Sequence, residues 1–137
     1  MENGELMKSR AVQELFSIEN DLDRFDFLAM KALKAEPFPE SEKTVENRIP
    51  ACETASWCVI ENTDGKIELL CESDSLFVKG LIIVFGEALE ESGVKADKNG
   101  YIGFADECFK RGIITVSRRD GLRSLEKRIT EYLNSIK

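Results

Sequence analysis

The sequence predicts an α+β domain: a small three-stranded antiparallel meander packed against N- and C-terminal helices. Three observations lead there. Apolar residues recur at helical spacing before residue 36 and again after residue 75. Between these stretches lie short alternating runs, punctuated by Pro50 and by Asp64-Gly65. No linker, repeat or low-complexity tract divides the chain, so one domain is expected over residues 1–137, with about the first ten disordered.

A helix is predicted from about Ala11 to Ala35, broken near Ile18 to Asp21. Leu22, Phe25, Leu28, Ala29 and Leu33 would form its apolar face. Pro37 and Pro39 end it, with Phe38 pinning the following loop to the core. Val45 to Ile49 is the first expected strand, stopped by Pro50, which has no N–H to give to a ladder. Ser56 to Glu61 is the second, with Trp57 and Val59 on one face and Cys58 and Ile60 on the other. Asn62-Thr63-Asp64-Gly65 signals a tight turn into a third, Lys66 to Cys71, with Ile67, Leu69 and Cys71 on one side.

Glu72-Ser73-Asp74-Ser75 offers caps for a helix from about Ser75 to Glu91, ended by Gly93. Its centre, Leu81 to Phe85, is apolar all round, the mark of a buried helix. Gly80 and Gly86 inside it read as close-packing positions. Tyr101 to Arg111 is a shorter helix closed by Gly112, with Ile102, Ala105, Cys108 and Phe109 inward. Ile113 to Val116 connects it to the last helix, whose start is expected at a Ser117/Asp120 capping box. Leu122, Leu125, Ile129, Leu133 and Ile136 follow at helical spacing.

Composition narrows the function. The 137 residues carry 19 Lys and Arg against 26 Asp and Glu, a net charge of −7, which argues against nucleic-acid binding. Met1 to Lys8 lacks an apolar signal region, and the longest apolar run is too short to span a bilayer. A cytoplasmic protein is expected; a mature organellar protein without its transit peptide is the alternative. Histidine is absent, which removes Cys-His and Ser-His-Asp nucleophiles and His-based metal sites. The four cysteines, Cys52, Cys58, Cys71 and Cys108, form no C-x-x-C pair, so no metal site and no disulfide is expected.

Cys52 stands apart because it falls in the loop after Pro50, where a rigid scaffold can present a thiol. Cys58, Cys71 and Cys108 read as packing residues. On composition alone, Cys52 too would read as an inert loop or core cysteine. Trp57 is expected to pack beneath the loop, an exposed Trp being instead a docking anchor.

Three segments in order resemble the SufE family of sulfur acceptors, from about Glu19 to Lys137. Ile49-Pro50-Ala51-Cys52-Glu53-Thr54-Ala55-Ser56-Trp57 is similar to the family's V-x-G-C-x-S-x-V-W and keeps the Cys-to-Trp spacing. Cys71 to Leu81 resembles G-D-S-D-A-x-I-V-K-G-L, and Ser117 to Leu122 resembles S-R-x-x-G-L. The chain departs from these patterns at Ala51 for glycine, Thr54 for serine, Ser56 for an apolar residue, and Cys71-Glu72 for Gly-Asp.

The resemblance implies an IscU-like fold and a sulfur relay. A PLP-dependent cysteine desulfurase, SufS- or CsdA-like, would pass persulfide sulfur to Cys52, for delivery to Fe–S scaffold proteins. Cys52 would be a transient carrier that stimulates the desulfurase, and PLP would belong to the partner, leaving this chain with no cofactor. A monomer or weak homodimer is expected. Arg118, at the family's arginine position, is the candidate cation to stabilise thiolate or persulfide; the alternative is a solvated or capping residue. Glu53, Thr54, Asp74 and Lys79 are candidate partner contacts, with a cap and a helix-surface charge as the plainer readings of Asp74 and Lys79. A carboxylate such as that of Glu53, if close to a thiol, opposes its ionisation. Two other functions compete: an IscU-type cluster scaffold, which needs several ligands near one loop, and a SufE-fold interaction module without sulfur chemistry.

Overall fold

The computed structural model describes residues 4–64, 66–93 and 102–135. Helices α1 (Gly4–Met7), α2 (Arg10–Ser17) and α3 (Asp21–Lys34) lead to a single 3-10 turn at Glu40–Glu42. Strands β1 (Ser56–Thr63) and β2 (Lys66–Ser73) form a hairpin. Helices α4 (Leu76–Ser92), α5 (Phe104–Lys110) and α6 (Val116–Ser135) follow. The fold is α+β, and among the described residues no helix is long and apolar enough to cross a membrane.

The core forms around α4. Its first turn is capped by Ser75, whose hydroxyl accepts from the Val78 N–H at 3.2 Å, and it ends at Gly93 with φ +74°. Leu81, Ile82, Val84, Phe85, Ala88 and Leu89 are buried on several sides, as expected of a helix without a polar face. Helices α1, α2 and α3 and strand β2 pack against it. The Phe85 ring stacks on Phe104 of α5 at 5.1 Å between centroids. Gly80 is where α3 crosses α4: a methyl group there would overlap the carbonyl and Cβ of Leu28. Gly86 is less constrained, with Leu69 Cβ at 3.4 Å from the place of an added Cβ.

The expected break between α2 and α3 is present. Ser9 caps α2 and Asn20 caps α3, accepting from the Asp23 N–H at 2.8 Å. Of the first ten residues, Gly4–Met7 form α1, and Leu6 and Ser9 are each 1% exposed.

Four further expectations are corrected. Val45 to Ile49 does not form a third strand. Thr44 to Asn47 turns, Val45 is exposed, and pairing with β1 is limited to an Arg48↔Trp57 bridge. Two backbone hydrogen bonds tie this segment to β1: Ile49 N–H to Ser56 O and Cys58 N–H to Asn47 O, both 2.9 Å. Pro50 and the turn before it leave too few residues for a ladder.

The face of α3 is also narrower than expected. Leu28, Ala29 and Ala32 are buried, whereas Leu22, Phe25 and Leu33 are exposed at 72%, 43% and 67%. The crossing at Gly80 turns the Leu28 side inward, and Arg24 is drawn in to bond Asp21 and the Ile18 carbonyl. Phe109 faces outward beneath the Arg119 guanidinium, 4.8 Å away, rather than into the core. Finally, α6 begins at Val116, so Ser117 lies inside it; the Thr115 hydroxyl accepts the Arg118 N–H at 3.4 Å instead. Gly65, Tyr101 and Ile136, which the expected turn and helices include, lie outside the described residues.

The hairpin is the expected one. Thr63 pairs with Lys66 across a two-residue connection, and Asp64 adopts φ +52°. Its register sets Ser56 opposite Ser73 and Cys58 opposite Cys71, all four buried on the α4 side. Trp57 lies on the opposite side of the hairpin from Cys58, where it lines a hollow together with Pro50. It is half-buried between Lys43 Nζ at 5.3 Å and the Arg48 guanidinium at 5.7 Å from its ring centre.

Candidate thiol site

The loop of residues 50–55 is closed at its base by the Ile49–Ser56 hydrogen bond and tied to β2 by the Asp74 N–H, which donates to Ala55 O at 3.0 Å. Helix α6 fastens the segment before it: the Arg128 guanidinium donates to the Asn47 and Arg48 carbonyls. At the turn Ala51 takes φ +63°, in the left-handed region that glycine enters freely and an L side chain does not. The backbone therefore supplies a physical reason for the glycine that the related pattern carries at this position.

Cys52 follows, half-buried. Its sulfur lies against the first turns of α6, where an added Cβ on Gly121 would come within 3.2 Å of both Cys52 Cβ and Sγ. Ile49, Val78, Leu81, Ile82, Arg118, Gly121 and Leu122 join Cys52 around a cavity of about 10 Å³, near the lower limit for holding one water. Arg118 borders this space with its guanidinium over the Phe77 ring, 4.9 Å from the centroid. The loop, α4 and α6 thus bring the predicted cysteine and the predicted arginine to one cavity.

The other three cysteines are chemically different. Burial pushes the Cys58 thiol far up, with Cys71 opposite adding to the effect. Burial likewise takes Cys71 to about 12 and Cys108 to about 12, the latter helped by Glu126. Cys58 sends its N–H outward to Asn47, so it faces Cys71 as a non-hydrogen-bonded pair within the core. Among the described residues no three Cys, Asp or Glu side chains converge as a metal ion would require.

With this geometry in view, comparison with known proteins is informative. The family model SufE, described as an Fe-S metabolism associated domain, matches residues 9–133. The chain belongs to the SufE family. Over 128 residues, 89% of this chain and 86% of the relative, it is 32% identical to the cysteine desulfuration protein SufE of Wigglesworthia glossinidia brevipalpis. An uncharacterized SufE-like protein of Rhizobium meliloti (strain 1021) is 31% identical over 78% of this chain and 80% of its own length. A chloroplastic quinolinate synthase of Arabidopsis thaliana matches at 32% over 61% of this chain, a segment making up 12% of that protein.

Within this SufE domain the remaining candidate residues separate. Within the thiol loop Glu53 is exposed and Thr54 half-buried, and Asp74 is exposed beside it. Lys79 is 9% exposed and its ammonium lies 3.2 Å from Glu72. That pairing joins α4 to β2. Burial works to raise the Glu72 carboxyl, but the Ser73 N–H and the Lys79 ammonium outweigh it and hold the group below its ordinary range.

Three residues at the thiol were not picked out as site residues from sequence: Gly121, Ser56 and Ser73. Each left a signal. A glycine within the first turns of a helix marks a close approach. Counting outward from the two-residue turn places Ser56 against Ser73, on the strand face that leads back to Cys52.

Proposed function

We propose that this protein is a sulfur carrier in iron–sulfur cluster assembly, taking persulfide sulfur from a PLP-dependent cysteine desulfurase onto Cys52. The observation that carries this reading is the contrast among the four thiols. Cys52 alone is partly open to solvent, on a tied loop at a small cavity, while the other three are buried and held protonated. Membership of the SufE family and similarity to a protein named for cysteine desulfuration support it.

In this reaction the Cys52 thiolate attacks the outer sulfur of the donor's cysteine persulfide. The donor S–S bond breaks, a new one forms at Cys52, and the donor cysteine leaves as thiolate. Attack on the terminal sulfur makes this an exchange with no net oxidation. The cavity beside Cys52 offers apolar surroundings for the added atom, and Arg118, which lines the same cavity, would be the cation that favours its negative charge. Burial of the other cysteines matters too, because a neighbouring reactive thiol would release the sulfur as sulfide and close a disulfide. Fe–S scaffold proteins would be the receivers, with Glu53, Thr54 and Asp74 on the surface met by partners and Lys79 acting through its bond to Glu72.

The test is incubation with a cysteine desulfurase, PLP and L-cysteine without reductant, followed by intact and peptide mass measurement. One added sulfur on the Cys52 peptide, absent in Cys52→Ser, is the expected result. Absence of added sulfur with several desulfurases would leave an interaction module as the better description.

A further inference from the structure

A chain of hydroxyl groups runs from the core of the hairpin to the Cys52 sulfur. Ser56 Oγ lies 3.5 Å from Cys52 Sγ, 3.0 Å from the Thr54 carbonyl oxygen and 2.8 Å from Ser73 Oγ. Ser73 Oγ in turn accepts the Ser75 N–H at 3.1 Å. Ser56 is fully buried and Ser73 is 9% exposed, so water has little part in satisfying either.

Proton counting gives this chain a direction. Ser56 has one hydroxyl proton and three neighbours able to receive it: Thr54 O, Ser73 Oγ and Cys52 Sγ. Ser73 Oγ accepts both the Ser56 hydroxyl and the Ser75 N–H. The single Ser56 proton therefore has the Ser73 oxygen, the Thr54 carbonyl and the sulfur as competing acceptors. A neutral Cys52 thiol can donate to Ser56 Oγ while Ser56 donates to Thr54. A thiolate has no proton to give and is the stronger acceptor, so the Ser56 O–H turns to it. The turn is a rotation about one bond and disturbs no backbone.

We propose that Ser56 is the hydrogen-bond donor that stabilises the anionic sulfur of Cys52, its proton turning to the sulfur from Ser73 and Thr54. Ser56 stands where the related family pattern carries an apolar residue, so the donor is a property of this chain. In a protein without histidine it supplies through a hydroxyl part of what an imidazolium would otherwise supply. The same donor would meet the inner sulfur once a persulfide forms. The inference rests on Cys52 being the reactive thiol, but it does not depend on which protein donates sulfur.

The experiment is the pH profile of Cys52 alkylation by iodoacetamide in the full-length protein, read from the mass of the Cys52 peptide. Ser56→Ala is expected to move the midpoint of the profile upward by about one pH unit, or about ten-fold in thiolate fraction below the midpoint. Ser56→Thr keeps the hydroxyl and is expected to restore the original profile, which a packing role would not predict. Ser73→Ala removes a competing acceptor of the Ser56 proton and is expected to give a smaller shift in the opposite direction.

An unchanged midpoint in Ser56→Ala, or an equal shift in Ser56→Thr, would overturn the proposal. If Ser56→Ala does not fold, an unchanged profile in Ser73→Ala together with a displaced one in Ser56→Thr overturns it equally. A normal serine dependence with no sulfur loading from any desulfurase would count against the carrier function alone. Sulfur loading without serine dependence would count against this inference alone.

Discussion

At the scale of single residues, Ala51 illustrates how a local backbone demand is set by a neighbour's task. Residues 50–55 must turn within a loop pinned at Ile49–Ser56 and at Ala55–Asp74. The turn places Ala51 at φ +63°, where its Cβ crowds the following carbonyl. Ala51→Gly is expected to stabilise the protein by about 1 kcal/mol, since relief of this crowding exceeds the added freedom of the unfolded chain. Urea unfolding would show it as a higher midpoint at unchanged slope; a lower midpoint would mean that the left-handed geometry carries no strain.

The thiol itself was legible as a loop cysteine because Pro50 ends the preceding segment and Ser56 opens the next strand. Its surroundings were less legible, for a physical reason. Cys52 meets Gly121, and the cavity side chains come from α4 and α6, so these contacts depend on how distant helices cross rather than on local pattern. The serine chain is an intermediate case, since the hairpin register was available from the turn but the approach of Cys52 Sγ to Ser56 Oγ was not.

At the scale of elements, the contrast between the two glycines of α4 gives a direct test of the packing. Gly80→Ala would drive a methyl group into the backbone of Leu28 and force α3 away from α4. A loss of about 3 kcal/mol is expected. Gly86→Ala meets only the Leu69 side chain at ordinary contact distance, and removes a flexible residue from a helix interior, so its effect is expected within about 1 kcal/mol of zero. Similar unfolding midpoints for the two variants would refute the close crossing at Leu28.

The elements with a strong signal of their own, α2, α3, α4 and the hairpin, were readable because caps, period and turn residues agree on them. The corrected ones had competing signals. Val45 looks like a strand residue by side chain, yet the turn at Thr44 to Asn47 and Pro50 leave it no partner. Ser117 and Asp120 have the composition of a capping box, but Thr115 lies two residues before Ser117 and caps the backbone first. On α3, apolar residues cover more of the helix than the core needs, and the crossing at Gly80 decides which of them are buried.

At the scale of the whole molecule, α6 joins what the chain order separates. It supplies Arg118, Gly121 and Leu122 to the cavity and Arg128 to the carbonyls of residues 47 and 48, while Leu125 and Ile129 seat it in the core. Glu126, also on this helix, accepts from the Gly103 and Ala105 N–H groups at the start of α5. Burial raises the Glu126 carboxyl despite these donors. The core, the base of the thiol loop and the cavity wall are therefore parts of one packed body around α4 and α6.

The unequal burial of the four cysteines makes the folded chain countable by a coloured disulfide reagent. One equivalent of thiol is expected to react promptly and three only as the core opens, with all four prompt in denaturant. Two or more prompt equivalents under native conditions would contradict the buried placement of Cys58, Cys71 and Cys108. Each molecule consequently carries its own unfolding meter: a dye or spin label can be attached at the loop without removing a single native cysteine, and the number of sulfurs answering the reagent reports how much of the population has come apart.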